Sequence, residues 1–393
     1  MGQINFQKGQ GGLKRRAPGT DQISSLMFYS NVLPSGFTTQ NNIQVVNQLL
    51  DAEALGIVKT TGTDILIRIM HYYISEFYRV SPGATLYVAI LPEAVSTETF
   101  VQINDVYYFA EKKIRQIGIF SKKAFAAASL SLIQGILTAL DLENQPISSV
   151  LYASNLVGVA TSALVNLRAL FDPKVSGVLA QDGDQLGASL ALEAGYSVPA
   201  LGALLGAISY SKVSECIGWV EKFPMDAVEL GNPALANGTL VKTLDETTLG
   251  VIDGKGWIFL RKYDSDGQVY FNDSHTAIAI DNDYAYIEAN RTMDKSIRGV
   301  RAALLPKLNG PVNVDAETGK LDPDYVVHLE NLGDAALLIM QQAGELSGYM
   351  TFVDPDQNVL STSTIEIAII DVPMGVSRIF NVKISYATST SGS

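Results

Sequence analysis

The chain has 393 residues, of which 47% are hydrophobic and 17% are charged. This composition excludes a disordered chain, and the length favours two or three folded units over one compact domain. The net charge of -12 argues against a broad basic surface of the kind that binds nucleic acid. A single cysteine, Cys216, excludes an internal disulfide and a cysteine-based metal cluster, and it fits folding in a reducing cytosol.

The N-terminal residues have the pattern of an extended arm that ends in a strand. Residues 1–16 contain four basic residues and no acidic ones, and an apolar run begins at Ile23 and continues to Tyr29. A basic arm on an acidic body fits docking on a neighbouring molecule, and it also fits a solvated terminus. The absence of an apolar signal core predicts no secretory export. We predict an N-terminal arm and strand over residues 1–41.

Residues 42–225 alternate short apolar runs with longer helical patterns, which predicts an α/β domain with a largely parallel sheet. The predicted strands are Leu86–Leu91, Ile114–Phe120, Val150–Ala153, Val175–Ala180 and Ile217–Val220. The predicted helices are Phe100–Lys113, Ala124–Leu140, Ser154–Phe171 and Leu186–Ala194. The uncharged stretch 144–167 contains many hydroxyl and amide side chains, so we expect it to be buried in this domain and not to insert into a membrane.

A connecting region over residues 226–249 precedes an α+β domain over residues 250–373. Its predicted elements are a hairpin of Trp257–Tyr263 and Gln268–Phe271, helices Thr292–Leu305 and Pro323–Gly344, and strands Tyr349–Val353 and Thr364–Asp371. The chain closes with a strand over Arg378–Tyr386, and residues 374–393 are predicted to form this strand and a flexible tail.

Two periodic patterns in the C-terminal part predict surfaces. In the last strand, Phe380, Val382 and Ile384 alternate with polar residues, as expected for a strand with one covered face. The helix Thr292–Leu305 has two patterns. Lys295, Arg298 and Arg301 recur every three residues as a basic stripe, and Ile297, Val300 and Leu304 are expected to face the core.

The sequence carries no pattern that specifies catalysis. The three histidines, His71, His275 and His328, lie in separate regions without metal-ligand spacing. Asp264 and Asp266 begin a turn that lacks the further ligands of a calcium loop, and Asp182 and Asp184 are acidic turn residues. Phosphate-binding glycine loops and the G-x-S-x-G elbow are absent. We therefore expect no catalytic, cofactor-binding or metal-binding residues.

Two parts of the sequence resemble the tail sheath proteins of contractile phage tails and of phage-derived injection systems. The first is the N-terminal stretch GGLKRRAPGTDQISSLMFYS. Its similarity is carried by Gly11, Gly12, Leu13, Arg15, Pro18, Gly19 and Asp21. The second is C-terminal: Trp257–Tyr263, then Ala285–Met293 with Asn290, Arg291 and Thr292, a helix and two closing strands.

The resemblance implies a subunit that polymerises as stacked rings around an inner tail tube and contracts to drive the tube through a target envelope. It implies terminal arms that donate strands to neighbouring subunits, contacts with tube, baseplate and tail terminator proteins, and assembly in a bacterial host cytoplasm into a virion tail or injection particle. The inter-subunit arm contacts would be Leu13, Ile23, Leu26, Phe28, Phe380, Val382 and Ile384. The tube-facing residues would be Lys295, Arg298 and Arg301.

Two other functions compete with this interpretation. One is another self-assembling tube or shell protein, although a tube subunit would be shorter and dominated by strands. The other is an α/β enzyme, which should have a polar pocket and a defined oligomeric state. The expected fold is thus an α/β middle domain with a largely parallel sheet and an α+β C-terminal domain with extended terminal arms. The expected function is structural.

Overall fold

A computed structural model describes residues 20–60, 62–225, 230–263 and 266–386 of the chain. The helices are α1 (Leu49–Ala54), α2 (Ile65–Val80), α3 (Gln102–Phe109), α4 (Ala127–Leu142), α5 (Leu186–Ala194), α6 (Leu201–Tyr210), α7 (Glu246–Gly254), α8 (Ile287–Leu304), α9 (Pro323–Gln342) and α10 (Val359–Thr362). The strands are β1 (Ser24–Tyr29), β2 (Ile43–Val46), β3 (Leu86–Leu91), β4 (Gln116–Ala124), β5 (Ser149–Asn155), β6 (Val175–Val178), β7 (Ala180–Asp182), β8 (Pro233–Leu235), β9 (Trp257–Ile258), β10 (Leu260–Lys262), β11 (Val269–Phe271), β12 (Leu346–Val353) and β13 (Ile367–Pro373).

A seven-stranded sheet in the order β2-β3-β1-β4-β5-β6-β9 organises most of the chain. β2 is antiparallel to β3, and every other neighbouring pair is parallel. Parallel strands that are buried on both faces are continuously apolar, and β3 has this composition, as do the middle residues of β4 and β5. The predicted largely parallel sheet is confirmed.

Helices cover both faces of this sheet. On one face, α2, α5 and α6 pack over a core that includes Leu26 and Phe28 of β1. On the other face, α3, α4 and α7 pack over a core that includes Met27 and Tyr29. Successive side chains of β1 therefore enter two different cores, because side chains alternate across a strand. β1 is a central structural element of the chain.

The glycine-containing segment near Gly202 forms helix α6, which packs closely on α2. A Cβ atom at Gly202 would lie 2.1 Å from the backbone oxygen of Tyr73, so only glycine fits at this crossing. The absence of a phosphate-binding fingerprint in this segment agrees with its role as a packing helix.

The C-terminal part consists of α8, α9 and the antiparallel hairpin β12–β13. One small core joins Val300 of α8, Leu337 and Met340 of α9, and Leu346 of β12. A second joins Val326 and Leu329 of α9 to Leu321 and Val353. The predicted helices and strands of this part exist with shifted ends. The hairpin of β10 and β11 is also confirmed.

Three predicted elements do not form. Ile217–Val220 is not a strand, because Ile217 enters the core whereas Trp219 and Val220 are exposed. Ser154–Phe171 contains only short 3-10 turns, and its backbone oxygens at Leu164 and Val165 accept hydrogen bonds from the side chains of Lys255 and Trp257. Arg378–Tyr386 has no regular secondary structure and no strand partner in the described chain. Helices α2 and α6 were not predicted.

The seven-stranded sheet crosses the predicted domain boundaries. Its interior strand β1 comes from the predicted arm 1–41, and its edge strand β9 comes from the predicted domain 250–373. This arrangement depends on pairing between strands that are distant in sequence, and local composition does not indicate which strands pair. In the ranges that the structure describes, no helix combines the length and apolar character required to cross a bilayer.

Candidate assembly surfaces

The N-terminal candidate contacts are mostly inside the chain's own core. Leu26 and Phe28 are buried, and β1 is hydrogen-bonded on both edges, to β3 and to β4. The prediction that they contact a neighbouring subunit is therefore corrected, because neither their side chains nor their strand edges are free. Ile23 is half-buried against the same sheet. Leu13 lies outside the described residues.

The predicted basic stripe on α8 is divided between two environments. Lys295 pairs with Asp21 and Glu345 at 2.8 and 2.7 Å, and Arg298 pairs with Asp21 at 2.8 Å. Arg301 is exposed one turn further on. Lys295 and Arg298 are thus engaged within the chain, and the prediction of one free stripe is corrected. The apolar face of α8 is less buried than predicted, since Ile297 is 41% exposed whereas Val300 is buried.

Asp21 is the acidic partner of this pair of cations. Burial by itself raises the pKa of Asp21, but the hydrogen bond from Lys295 and the charges of Lys295 and Arg298 outweigh it and hold the pKa below 3.8. Asp21 lies in a 3-10 turn, Thr20–Gln22, directly before β1. The residues before β1 are here called the N-terminal segment. Asp21 therefore attaches the described end of this segment, residues 20–23, to α8 at neutral pH.

The C-terminal segment is defined as residues 374–393, and the apolar side chains of its described residues 379–386 are open to solvent. Phe380, Val382 and Ile384 are 81%, 76% and 89% exposed. They alternate with polar residues along a stretch that has no regular secondary structure and pairs with no strand in the described part of the chain. Such a segment has one apolar face and free backbone donors and acceptors, which are the requirements for adding a strand to another sheet.

Arg378 attaches this segment to the rest of the chain. Its Nε donates to Asp273 Oδ2 at 2.7 Å, and its Nη2 donates to Glu288 Oε1 at 2.6 Å. The guanidinium also lies 3.4 Å from the ring centre of Tyr286. Burial alone raises the pKa of Asp273, but Arg378 and His275 outweigh it and lower the pKa. Arg378 is thus held by charge, directional hydrogen bonds and aromatic stacking.

The same pocket contains three side chains of metal-ligating type. In the described residues, donor atoms of Cys216, Asp273 and Glu288 lie within 4.8 Å of one another. Arg378 binds both carboxylates, so a cation would have to replace its guanidinium. Burial, followed by the charges of Glu288 and Asp273, raises the pKa of the Cys216 thiol well above 9.0, which keeps it protonated and a poor ligand. This chemistry fits an arginine pocket better than a metal site.

The β12–β13 hairpin has one covered edge and one open edge. Backbone N–H groups of Thr351 and Val353 on β12 donate to Asp334 and Glu330 of α9, each at 3.0 Å. These carboxylates occupy the positions that another strand would need on β12. The edge of β13 pairs with no other strand in the part of the chain that the structure describes. The open edge is therefore on β13.

One face of this hairpin is apolar and exposed. Met350 pairs with Ile370, and Val372 pairs with Gly348, so the side chains of Met350, Ile370 and Val372 share a face. Met350, Phe352, Ile370 and Val372 are each about half exposed, whereas Thr351 and Val353 face α9 and are buried. A free edge beside an apolar face is a docking surface for an amphipathic strand.

The remaining polar candidates have structural partners. His71 contacts Glu53 at 2.9 Å, and His275 contacts Asp253 at 3.0 Å. Asp182 accepts hydrogen bonds from the backbone of Asp184, Gln185 and Ala188 at the start of α5. A cavity of about 330 Å³ lies beside Lys174, whose charge is already paired with Asp141 and Asp294. These contacts stabilise the fold, and Asp264 lies outside the described residues.

Sequence profiles of one family cover nearly the whole chain. The profile of the DUF2586 N-terminal domain matches residues 1–275, and that of the DUF2586 C-terminal domain matches residues 283–391. The chain belongs to the DUF2586 family. No curated protein matches it in sequence.

Solved structures similar to this DUF2586 chain come from contractile assemblies. A chain of the anti-feeding prophage (AFP) baseplate is 14% identical with a TM-score of 0.63, covering 98% of this chain and 99% of that chain. A chain of the PVC sheath complex, from an extracellular contractile injection system in the contracted state, is 10% identical with a TM-score of 0.59 over 98% and 99%. A sheath tail protein from Listeria innocua is 8% identical with a TM-score of 0.53 over 92% and 97%.

These similarities span the whole length of the chain and establish its fold as that of the contractile sheath proteins. The resemblance in fold that the sequence predicted is confirmed. Sequence reasoning missed Arg378 and the two carboxylates of α9. For Arg378, the sequence did offer a signal, namely an arginine that directly precedes the alternating apolar residues. For Asp334 and Glu330 the sequence offered no signal, since acidic residues on a helix are ordinarily solvated.

Proposed function

We propose that this chain is the structural subunit of a contractile tail sheath. It polymerises as stacked rings around an inner tail tube and contracts to drive the tube through a target envelope. Its partners are other copies of itself, the tube protein, and baseplate and tail terminator proteins. The particle is a virion tail or an injection system assembled in a bacterial cytoplasm. The similarity in fold along the entire chain supports this function and a non-enzymatic role.

The exposed C-terminal segment is the observation that carries the proposal. A chain that functioned alone would leave Phe380, Val382 and Ile384 in contact with water, at a cost of about 1.5–3 kcal/mol for each large apolar side chain relative to burial. A second copy of the chain can bury all three in one step. Strand addition also satisfies the backbone groups between them.

The β13 edge is the acceptor for this strand. The N–H groups of β13 that point away from β12 belong to the residues paired with Thr351 and Val353. In an antiparallel ladder, both residues of a non-hydrogen-bonded pair direct their N–H groups away from the partner strand. Thr351 is paired with Ile369, which places the Ile369 N–H on the open edge. The donated strand would extend the hairpin and continue its apolar face. Leu13 and Ile23 in the N-terminal segment, and Arg301 toward the tube, keep their predicted contacts within this proposal.

Electron microscopy of the purified full-length protein, alone and co-expressed with its tube protein, tests the function. We expect stacked rings or tubes wide enough to enclose an inner tube. Ile369→Pro removes one outward N–H from the β13 edge and should abolish these assemblies, whereas Ile369→Val keeps the N–H and should assemble. A wild-type protein that remains monomeric in both preparations contradicts the proposed function. Tubes from Ile369→Pro would contradict the choice of edge.

A further inference from the structure

Residues near both ends of the described chain, Asp21 and Arg378, are attached to the same helix. Asp21, at the end of the N-terminal segment, is held by Lys295 and Arg298 of α8. Arg378, at the base of the C-terminal segment, is held by Glu288 of α8 together with Asp273. We call these two contacts the N-terminal anchor and the C-terminal anchor. Glu288 and Lys295 are seven residues apart, so the anchors are separated by about 10 Å along the helix.

The C-terminal anchor directs its segment away from the chain's own hairpin. β13 ends at Pro373, opposite Leu346, which packs against Val300 of α8. Arg378 then binds Glu288, which lies more than three turns closer to the start of α8 than Val300. The chain therefore continues in the direction in which β13 was running, and it does not turn back along the β13 edge. A strand formed by residues 379–386 therefore does not add to the chain's own β13 edge, and in the proposed sheath it pairs with a second copy.

The pocket of Arg378 requires a cation. Asp273 and Glu288 are 8% and 7% exposed, and each approaches the same guanidinium. Burial is the main factor that raises the pKa of Glu288, and the nearby charge of Asp273 raises it further. Without Arg378, two neighbouring buried carboxylates would lose their shared counter-ion, which strongly disfavours release of the segment.

Helix α8 is itself fixed to the body of the molecule. The guanidinium of Arg291 is buried and donates to Ser211 Oγ at 2.6 Å and to the Ser211 backbone oxygen at 3.2 Å. Asp294 pairs with the buried Lys174 at 3.1 Å. Asn290 donates to the backbone oxygen of Pro173 at 2.8 Å. These contacts lie between the two anchors, so a displacement of α8 would break several buried polar contacts together.

We propose that α8 is the common anchor of both terminal segments and carries force from one to the other. This step rests on the proposed sheath function, in which each segment is bound by a different neighbouring copy. A pull on the C-terminal segment would pass through Arg378 to Glu288, along about two turns of helix, and through Lys295 and Arg298 to Asp21.

The two anchors can be tested in the unassembled full-length chain. A spin label at Ser377→Cys reports on the C-terminal segment, and one at Thr20→Cys reports on the N-terminal segment. The buried, protonated Cys216 should not compete for the label. Arg378→Gln should shift the Ser377 label from held to mobile by about tenfold or more, and Lys295→Gln with Arg298→Gln should do the same for the Thr20 label.

Arg301→Gln is the matched control, because it removes the same charge from an exposed position of the same helix. It should leave both labels unchanged. Unchanged mobility at Ser377 in Arg378→Gln would overturn the C-terminal anchor, and unchanged mobility at Thr20 in the double variant would overturn the N-terminal anchor. These readouts do not require assembly, so they remain decisive if the wild type forms no tubes and the sheath function fails.

The transfer of force is tested on assembled tubes broken by a fixed dose of sonication. Tubes of each anchor variant should be shorter than wild-type tubes. A variant that lacks both anchors should give tubes as long as those of whichever single-anchor variant breaks more easily, because links in series fail at the weakest link. Two results would overturn the role of α8. One is that tubes of the anchor variants are as long as wild-type tubes, and the other is that the shortening in the double variant is the sum of the shortening in the two single variants.

Discussion

The β1 strand and the C-terminal segment are both apolar, strand-like sequences near an end of the chain, and they have opposite roles. Every residue of β1 is buried, and both of its edges are paired within the chain. The C-terminal segment alternates apolar and polar residues and is exposed along residues 378–386. A strand that is apolar on both faces belongs to the interior of a sheet, whereas an alternating strand has one face to cover. Position near a chain end does not identify an exchanged strand.

Phe28→Asp should produce the largest effect. Phe28 is buried against Tyr73 and Phe120, and the substitution both removes a large side chain and places a charge in the core. Loss of a buried Phe destabilises by about 3–5 kcal/mol and the charge adds to this, which together approach the whole free energy of unfolding of a typical protein. We expect loss of the cooperative thermal transition. If the variant folds normally and only fails to assemble, β1 would instead be a strand that is exchanged between subunits, which contradicts its place in the chain's own core.

Phe380→Asp is the corresponding change at the other end and should leave folding intact. Phe380 is 81% exposed, so the free energy of unfolding of the unassembled chain should stay within about 0.5 kcal/mol of the wild-type value, with little change in Tm. Assembly should be lost, because the aspartate would be buried between copies. Asn381→Asp adds the same charge to the polar face and is the control, which should still assemble. Normal tubes from Phe380→Asp would show that this face is not an interface.

A smaller effect should appear in the pH dependence of the N-terminal anchor. The pKa of Asp21 is lowered in the folded chain, so its ion pairs stabilise the fold above about pH 3.8 and this contribution is lost as the pH falls through the folded-state pKa. Asp21→Asn should lower the Tm at pH 6, and the difference from wild type should shrink steadily as the pH falls below about 3.8. A difference that persists unchanged at low pH would contradict an ionic anchor. Salt should also reduce it, since the pair is partly exposed.

The sequence could predict much of the secondary structure for local reasons. Helix α5 was predicted with its observed bounds, Leu186–Ala194, and the alternating residues of the C-terminal segment were identified from period alone. Helix α6 was missed because its small, apolar residues resemble a glycine-rich loop until α2 is placed against it. The predicted helix over Ser154–Phe171 failed because side chains distant in sequence bind its backbone oxygens.

The sequence by itself determined the parallel sheet, the amphipathic C-terminal segment and the likeness to sheath proteins, because each depends on local periodicity or on short motifs. The tertiary structure decided which terminal strand is in the core and which charges are free. Arg298 and Asp21 are 277 positions apart, and Arg378 and Asp273 are 105 apart. A basic residue on a helix has the same local pattern whether it faces water, a partner protein or a carboxylate of its own chain. Only folding brings that carboxylate within hydrogen-bonding distance, and the pairing then fixes the role of the side chain.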